Sequence, residues 1–87
     1  MHEASLMTSL MNRIKTIAEA ENAQRVTSVS VWLGALSHMS EAHFAEHFEH
    51  AAAGTIAEAA ELDITLSEDT AHANAQDIIL EGIEVET

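Results

Sequence analysis

The chain contains no cysteine. Disulfides, iron–sulfur clusters and thiolate zinc sites are thereby excluded. Tyrosine is absent too, and two Phe and one Trp are the only aromatic residues. A core drawn mostly from Ala, Ile, Leu and Val is thin, and tight helix–sheet packing or oligomerisation helps such a core. Positive charge is scarce: three Lys and Arg stand against 15 Asp and Glu, a formal net charge of −12 at pH 7. That field repels phosphate backbones and anionic bilayers, so nucleic acid and membrane-surface binding are set aside. It suits a cation or a basic patch on a partner protein, and the plainer reading is that it keeps a small protein soluble. No apolar run reaches the ~18 residues that span a bilayer. No charged segment followed by an apolar run marks a secretory leader. The expectation is a cytoplasmic protein with its encoded N-terminus intact.

What is present is an apolar fraction of 47% in 87 residues, enough for one folded domain over residues 1–87. From Glu3 to about Glu21, Met7, Leu10, Ile14 and Ile17 recur at helical spacing, widened by Leu6 and Met11. Asn22 is a fitting terminator. Arg25 to Leu33 reads as a strand, with Val29, Val31 and Leu33 alternating with Ser28, Ser30 and Trp32. A second helix runs from Ser40, a good N-cap, to about Ala53. Met39 and Phe44 are spaced as a hydrophobic staple, Phe44, Phe48 and Ala51 form the buried stripe, and Gly54 closes the end. Leu62, Ile64 and Leu66 mark a second strand. Ser67 to Gln76 is a polar loop. Ile78 to Glu86 is a third strand whose parity breaks at Gly82, where a bulge brings Ile78, Leu80, Ile83 and Val85 onto one face.

The order α-β-α-β-β predicts an α+β fold, two helices packed on one face of a three-stranded mixed sheet. Either the first two strands pair in parallel through a crossover, or the last strand lies between them. An exposed sheet edge or exchange of the last strand would allow a homodimer.

Histidine is abundant, with six residues, and His2 directly follows Met1. Methionine aminopeptidases act before small residues, so Met1 is expected to stay. The Met1 amine, the deprotonated His2 amide nitrogen and the His2 imidazole then form fused five- and six-membered chelate rings. A tetragonal nitrogen donor set suits nickel(II) or copper(II). The fourth position falls to the Glu3 amide, the Glu3 carboxylate or a remote histidine. A free α-amine titrates near about 8 and histidine near about 6.5, so protons compete with metal around neutrality. An exchangeable site at a chain end fits delivery better than storage. The bland alternative is a solvated histidine beside the first helix.

Four stretches, MHEASLM, VTSVSVWLGALSHMSEAHF, FEHAAAGTIAEAAELDI and GIEVE, together resemble the HypA/HybF family of hydrogenase nickel-incorporation proteins. The likeness is colinear over residues 1 to about 66 and about 78 to 86. It implies a nickel metallochaperone for [NiFe]-hydrogenase, in some organisms for urease, working beside a nickel-binding GTPase, HypB, and passing Ni(II) to the hydrogenase large subunit. It also implies nickel ligation by Met1, His2 and Glu3. The family carries a zinc domain with two C-x2-C pairs between its second and last strands. Here residues 67–77 form a short loop in its place and no cysteine remains, so no zinc is expected. The chain resembles a nickel-binding domain alone, a zinc-less relative or a product of excision. The other reading is an adaptor that contacts the maturation partners without carrying metal.

His43, His47 and His50 share one helix face at spacings of 4 and 3, and two histidines at i and i+4 chelate one ion. They are candidates for a secondary metal site, against the plainer role of a polar helix border. His72, in the loop, is a candidate remote ligand. Trp32, on the polar side of its strand, packs on a loop or a partner. Gly34 and Gly54 read as backbone punctuation. No phosphate loop, catalytic triad or paired carboxylates with catalytic logic occur, and the protein is not expected to be an enzyme.

Overall fold

The computed structural model describes residues 3–87, with side chains from residue 5 onward. The elements are α1 (Glu3–Ala20), β1 (Arg25–Leu33), α2 (Glu41–Ala52), β2 (Glu61–Leu66) and β3 (Ile78–Glu86). The strand order is β2-β1-β3. β1 is central, parallel to β2 and antiparallel to β3, so the parallel-pair alternative is the one adopted. The two helices share a core with one face of this mixed sheet.

The helix periodicity finds its core with small shifts. In α1 the deepest stripe is Met7, Met11, Ile14 and Ala18, while Ile17 is only half-buried. In α2 the stripe is Phe44, Phe48 and Ala52, not Ala51. In α1 the smaller residue, Ala18, is the one turned inward at the helix end. Phe44 and Phe48 stack with ring centroids 6.3 Å apart.

Both helices stop for local reasons. Asn22, at φ 55°, takes the left-handed position after α1. The Ala23 N–H then donates to the Ala18 carbonyl and the Asn22 N–H to the Glu19 carbonyl, which is a Schellman closure. After α2, Ala53 (φ −56°, ψ 128°) and Gly54 (φ 76°) make a type II turn. The Thr55 N–H donates to the Ala52 carbonyl at 2.9 Å to close it.

The bulge expected at Gly82 is present: Ser30 pairs with Gly82 and Val31 with Leu80, leaving Glu81 extra. Ile78, Leu80, Ile83 and Val85 all pack against the core as a result. A second irregularity lies on β1, where Val26 pairs with Val85 and Ser28 with Glu84, leaving Thr27 extra. It turns Val26 inward beside Val29, Val31 and Leu33. β2 is an edge strand. Leu62 and Ile64 reach the core, but Leu66, the last residue of that edge strand, is 47% exposed.

Candidate metal site

The element order puts the start of both helices at one end of the sheet. β1 ends at Leu33, whose neighbours are Leu66, the last residue of β2, and Ile78, the first of β3. α2 leaves from that end and returns to the other, where the Ile56 carbonyl accepts from the Val26 N–H at 3.0 Å. α1 runs the same way. Leu6, Leu10 and Arg13 of α1 line a groove with Ile78 and Leu80. The backbone of Glu3, where α1 opens, therefore shares an end with the start of α2 and with the loop of residues 67–77. Met1 and His2 lie outside the described residues, and so does the Glu3 side chain.

At this end α2 is opened by its cap. The Ser40 hydroxyl accepts from the His43 N–H at 3.1 Å, and the Ser40 carbonyl accepts from the Phe44 N–H at 2.9 Å. Met39 before the cap and Phe44 four residues after it are both buried in one cluster, as a staple requires. His38 sits at φ 61°, a left-handed conformation rarely taken by residues other than glycine. The turn from β1 into α2 imposes it, and no local pattern in the sequence announces it.

His43 and His47 come together on the exposed side of α2. Their Nε2 atoms are 2.9 Å apart and their ring centroids 4.6 Å apart. One ring donates its N–H and the other accepts, according to tautomer. His50 lines a separate depression with Glu49, Ala53 and Glu58. His72 belongs to the loop, where its ring lies against Trp32 at 5.0 Å. Its Nδ1 accepts from the Asn74 N–H at 2.9 Å, so the neutral ring carries its proton on Nε2. Among the described residues no three potential ligands converge on one point. Of the four secondary candidates, His43 and His47 form the close pair.

The loop is held by short-range bonds. The Ser67 hydroxyl accepts from the Asp69 N–H and the Asp69 carboxylate from the Ala71 N–H. Its far end docks on the turn after β1: the Leu36 N–H donates to the Ala75 carbonyl at 2.7 Å and the Gly34 N–H to the Asp77 carbonyl at 2.9 Å. Gly34 is more than punctuation. A Cβ there would fall on the Ala75 carbonyl oxygen, 2.6 Å from the carbonyl carbon and 2.8 Å from the Asn74 oxygen. Beyond this loop, the face away from the helices is polar and acidic, with Ser28 in register with Glu61 and Glu84, and Ser30 with Asp63.

Residues 1–78 match the family described as hydrogenase/urease nickel incorporation, metallochaperone, hypA. The chain belongs to the HypA family. HypA of Chlorobium limicola is 38% identical over 64 residues, 74% of this chain and 55% of that protein. HypA of Methanosarcina mazei is 35% identical over 66 residues, 76% and 48% respectively. HybF of Escherichia coli K12 is 39% identical over 64 residues, 74% and 57%. The chain thus spans about half the length of the HypA and HybF relatives it matches. The solution structure of the Ni metallochaperone HypA from Helicobacter pylori superposes with a TM-score of 0.80, covering 99% of this chain and 98% of that one. At 21% identity it shares the fold. A second HypA solution structure gives 0.77 at 20% identity, covering 97% and 95%. With no cysteine in the sequence, this HypA-family chain has no ligands for a thiolate zinc site.

Proposed function

We propose that this chain is a nickel metallochaperone domain that holds Ni(II) at its N-terminus and delivers it for maturation of [NiFe]-hydrogenase. The observation that carries the reading is the family match, which begins at residue 1 and so includes Met1, His2 and Glu3. The Met1 amine, the His2 amide and the His2 imidazole are the ligands, and Glu3 supplies the fourth through its amide or carboxylate. Nickel is cargo here, held loosely enough to be exchanged. The GTPase HypB and the hydrogenase large subunit are the partners on either side of that exchange, and urease is a second possible destination. The formal charge of −12 supports both the cation and a docking surface for a basic partner.

The test compares the untagged protein, His2→Ala and the N-terminally acetylated protein in a Ni(II) titration followed by visible absorption. Square-planar nitrogen ligation gives a yellow species. It is expected in the untagged protein and lost in both others. The same yellow band in all three would sink the N-terminal site, and no nickel uptake by the untagged protein would leave the adaptor reading, in which the domain docks its partners without carrying metal.

A further inference from the structure

His43 and His47 are assigned no role in the N-terminal reading, yet they form a close pair of metal-binding atoms. Their Nε2 atoms are 2.9 Å apart on the exposed face of α2. That spacing carries chemical information. With metal–nitrogen bonds of about 2.0–2.1 Å, two nitrogens at right angles on one ion lie about 2.9 Å apart, and two at a tetrahedral angle about 3.4 Å apart. The rings stand at the separation of adjacent positions on a tetragonal ion, and a divalent ion can take the place of the proton they share.

We infer that His43 and His47 form a second metal chelate, selective for a tetragonal, nitrogen-preferring divalent ion, Ni(II) or Cu(II). The helix supplies the pre-organisation. Side chains at i and i+4 are neighbours on its surface, and Phe44 and Phe48, each one residue further along, anchor this stretch in the core. Among the described residues no third protein ligand converges there, and water or a ligand from another molecule can fill further coordination positions.

Two further features bear on its strength. The positive end of the α2 dipole opposes a cation near His43, which is three residues from the Ser40 cap. The formal charge of −12 and Glu41 in the first turn work the other way. The balance is an accessible, exchangeable site rather than a store. The stretch His43-Phe44-Ala45-Glu46-His47 spells H-x-x-E-H, an order used by one group of zinc peptidases. Among the described residues no third ligand completes such a centre, and the inference is ion holding, not hydrolysis. The pair lies toward the end of the sheet where α1 opens, so an ion held there is on the same side of the molecule as the Glu3 backbone.

The experiment uses His2→Ala as the background, which disables the N-terminal chelate, and titrates Ni(II), Cu(II) and Zn(II) separately by calorimetry. One equivalent of Ni(II) and of Cu(II) is expected, Cu(II) the tighter. Adding His43→Gln or His47→Gln should weaken that binding at least tenfold, while adding His50→Gln should leave it within twofold. His43 and His50 are exposed, His47 is half-buried, and the cap bond at His43 uses its backbone; circular dichroism of each variant checks that the fold is retained. In wild-type protein, imidazole proton–nitrogen correlations of His43 and His47 should change with the first equivalents of metal. The inference is overturned if His2→Ala binds neither ion, or if the His47→Gln addition leaves its affinity unchanged. The N-terminal reading fails separately, through persistence of the yellow band in His2→Ala.

Discussion

Replacing Gly34 by alanine adds one methyl group at the point where the β2–β3 loop meets the end of β1. The new Cβ would fall on the Ala75 carbonyl, 2.6 Å from its carbon, where ordinary contact begins at 3.4 Å. All the atoms in its way are backbone, so no side chain can swing aside and the loop must retreat by about 1 Å. That retreat loosens the two hydrogen bonds that dock the loop, Leu36 to Ala75 and Gly34 to Asp77. Each contributes about 0.5–1.5 kcal/mol net. Exposing Ala75 and parting His72 from Trp32 adds about 1 kcal/mol. A destabilisation of about 2–4 kcal/mol follows, against a total of roughly 4–13 kcal/mol for a domain of 87 residues. The melting temperature should fall by roughly 10–30 °C. The assay is thermal unfolding by circular dichroism, with fluorescence of Trp32, the sole tryptophan, reporting the loop directly through a red shift. Gly82→Ala is the matched control: nothing lies within 4 Å of its Cβ, and its φ is not positive. It should change stability by less than about 1 kcal/mol. A Gly34→Ala protein that melts within 3 °C of wild type, with unshifted emission, would refute the reasoning.

Two further outcomes are expected. Ser40→Ala removes the hydroxyl that accepts from His43 and should cost about 1 kcal/mol, a fall of roughly 4–8 °C, while Ser40→Asp should retain most of the stability; circular dichroism melts check both. Arg25→Ala breaks the ion pair to Glu86, 3.0 Å long but with both side chains more than half exposed, and should change stability by no more than about 0.5 kcal/mol at 0.15 M salt. Melts across ionic strength should instead show a rise in stability from low to moderate salt in both proteins, as self-repulsion among the acidic residues is screened.

Much of the fold was legible because the signals are local. Helical spacing from Met7 to Ile14 and alternation from Val29 to Leu33 set which faces are apolar. Ser40, Asn22 and Gly54 mark caps by their own chemistry. The parity break at Gly82 even locates a bulge. The misses have local causes too. Ile17 and Ala51 are each one residue from the true stripe, because periodicity defines a face while packing selects between its border positions. Val26 carries its own parity break three residues before Val29, a signal that an unbroken alternation from Val29 onward leaves out.

For the candidate site the division is sharper. The proposed chelation by Met1-His2-Glu3 rests on the sequence, since the proposed ligands are consecutive and their rings would close within two residues. The i and i+4 spacing of His43 and His47 is also a sequence property, and so is the absence of thiolate ligands. Only the tertiary structure could decide that His43 and His47 form a close pair while His50 lines a different surface and His72 folds back on Trp32. Nor could the sequence show that α2 opens at the same end of the sheet as α1, because the course of α2 follows from β2 lying parallel to β1. Gly34 is the clearest case. As a letter it is a strand terminator; in the folded chain it is the one place where the loop backbone passes too close for a side chain, a contact between residues some forty positions apart that no local pattern encodes.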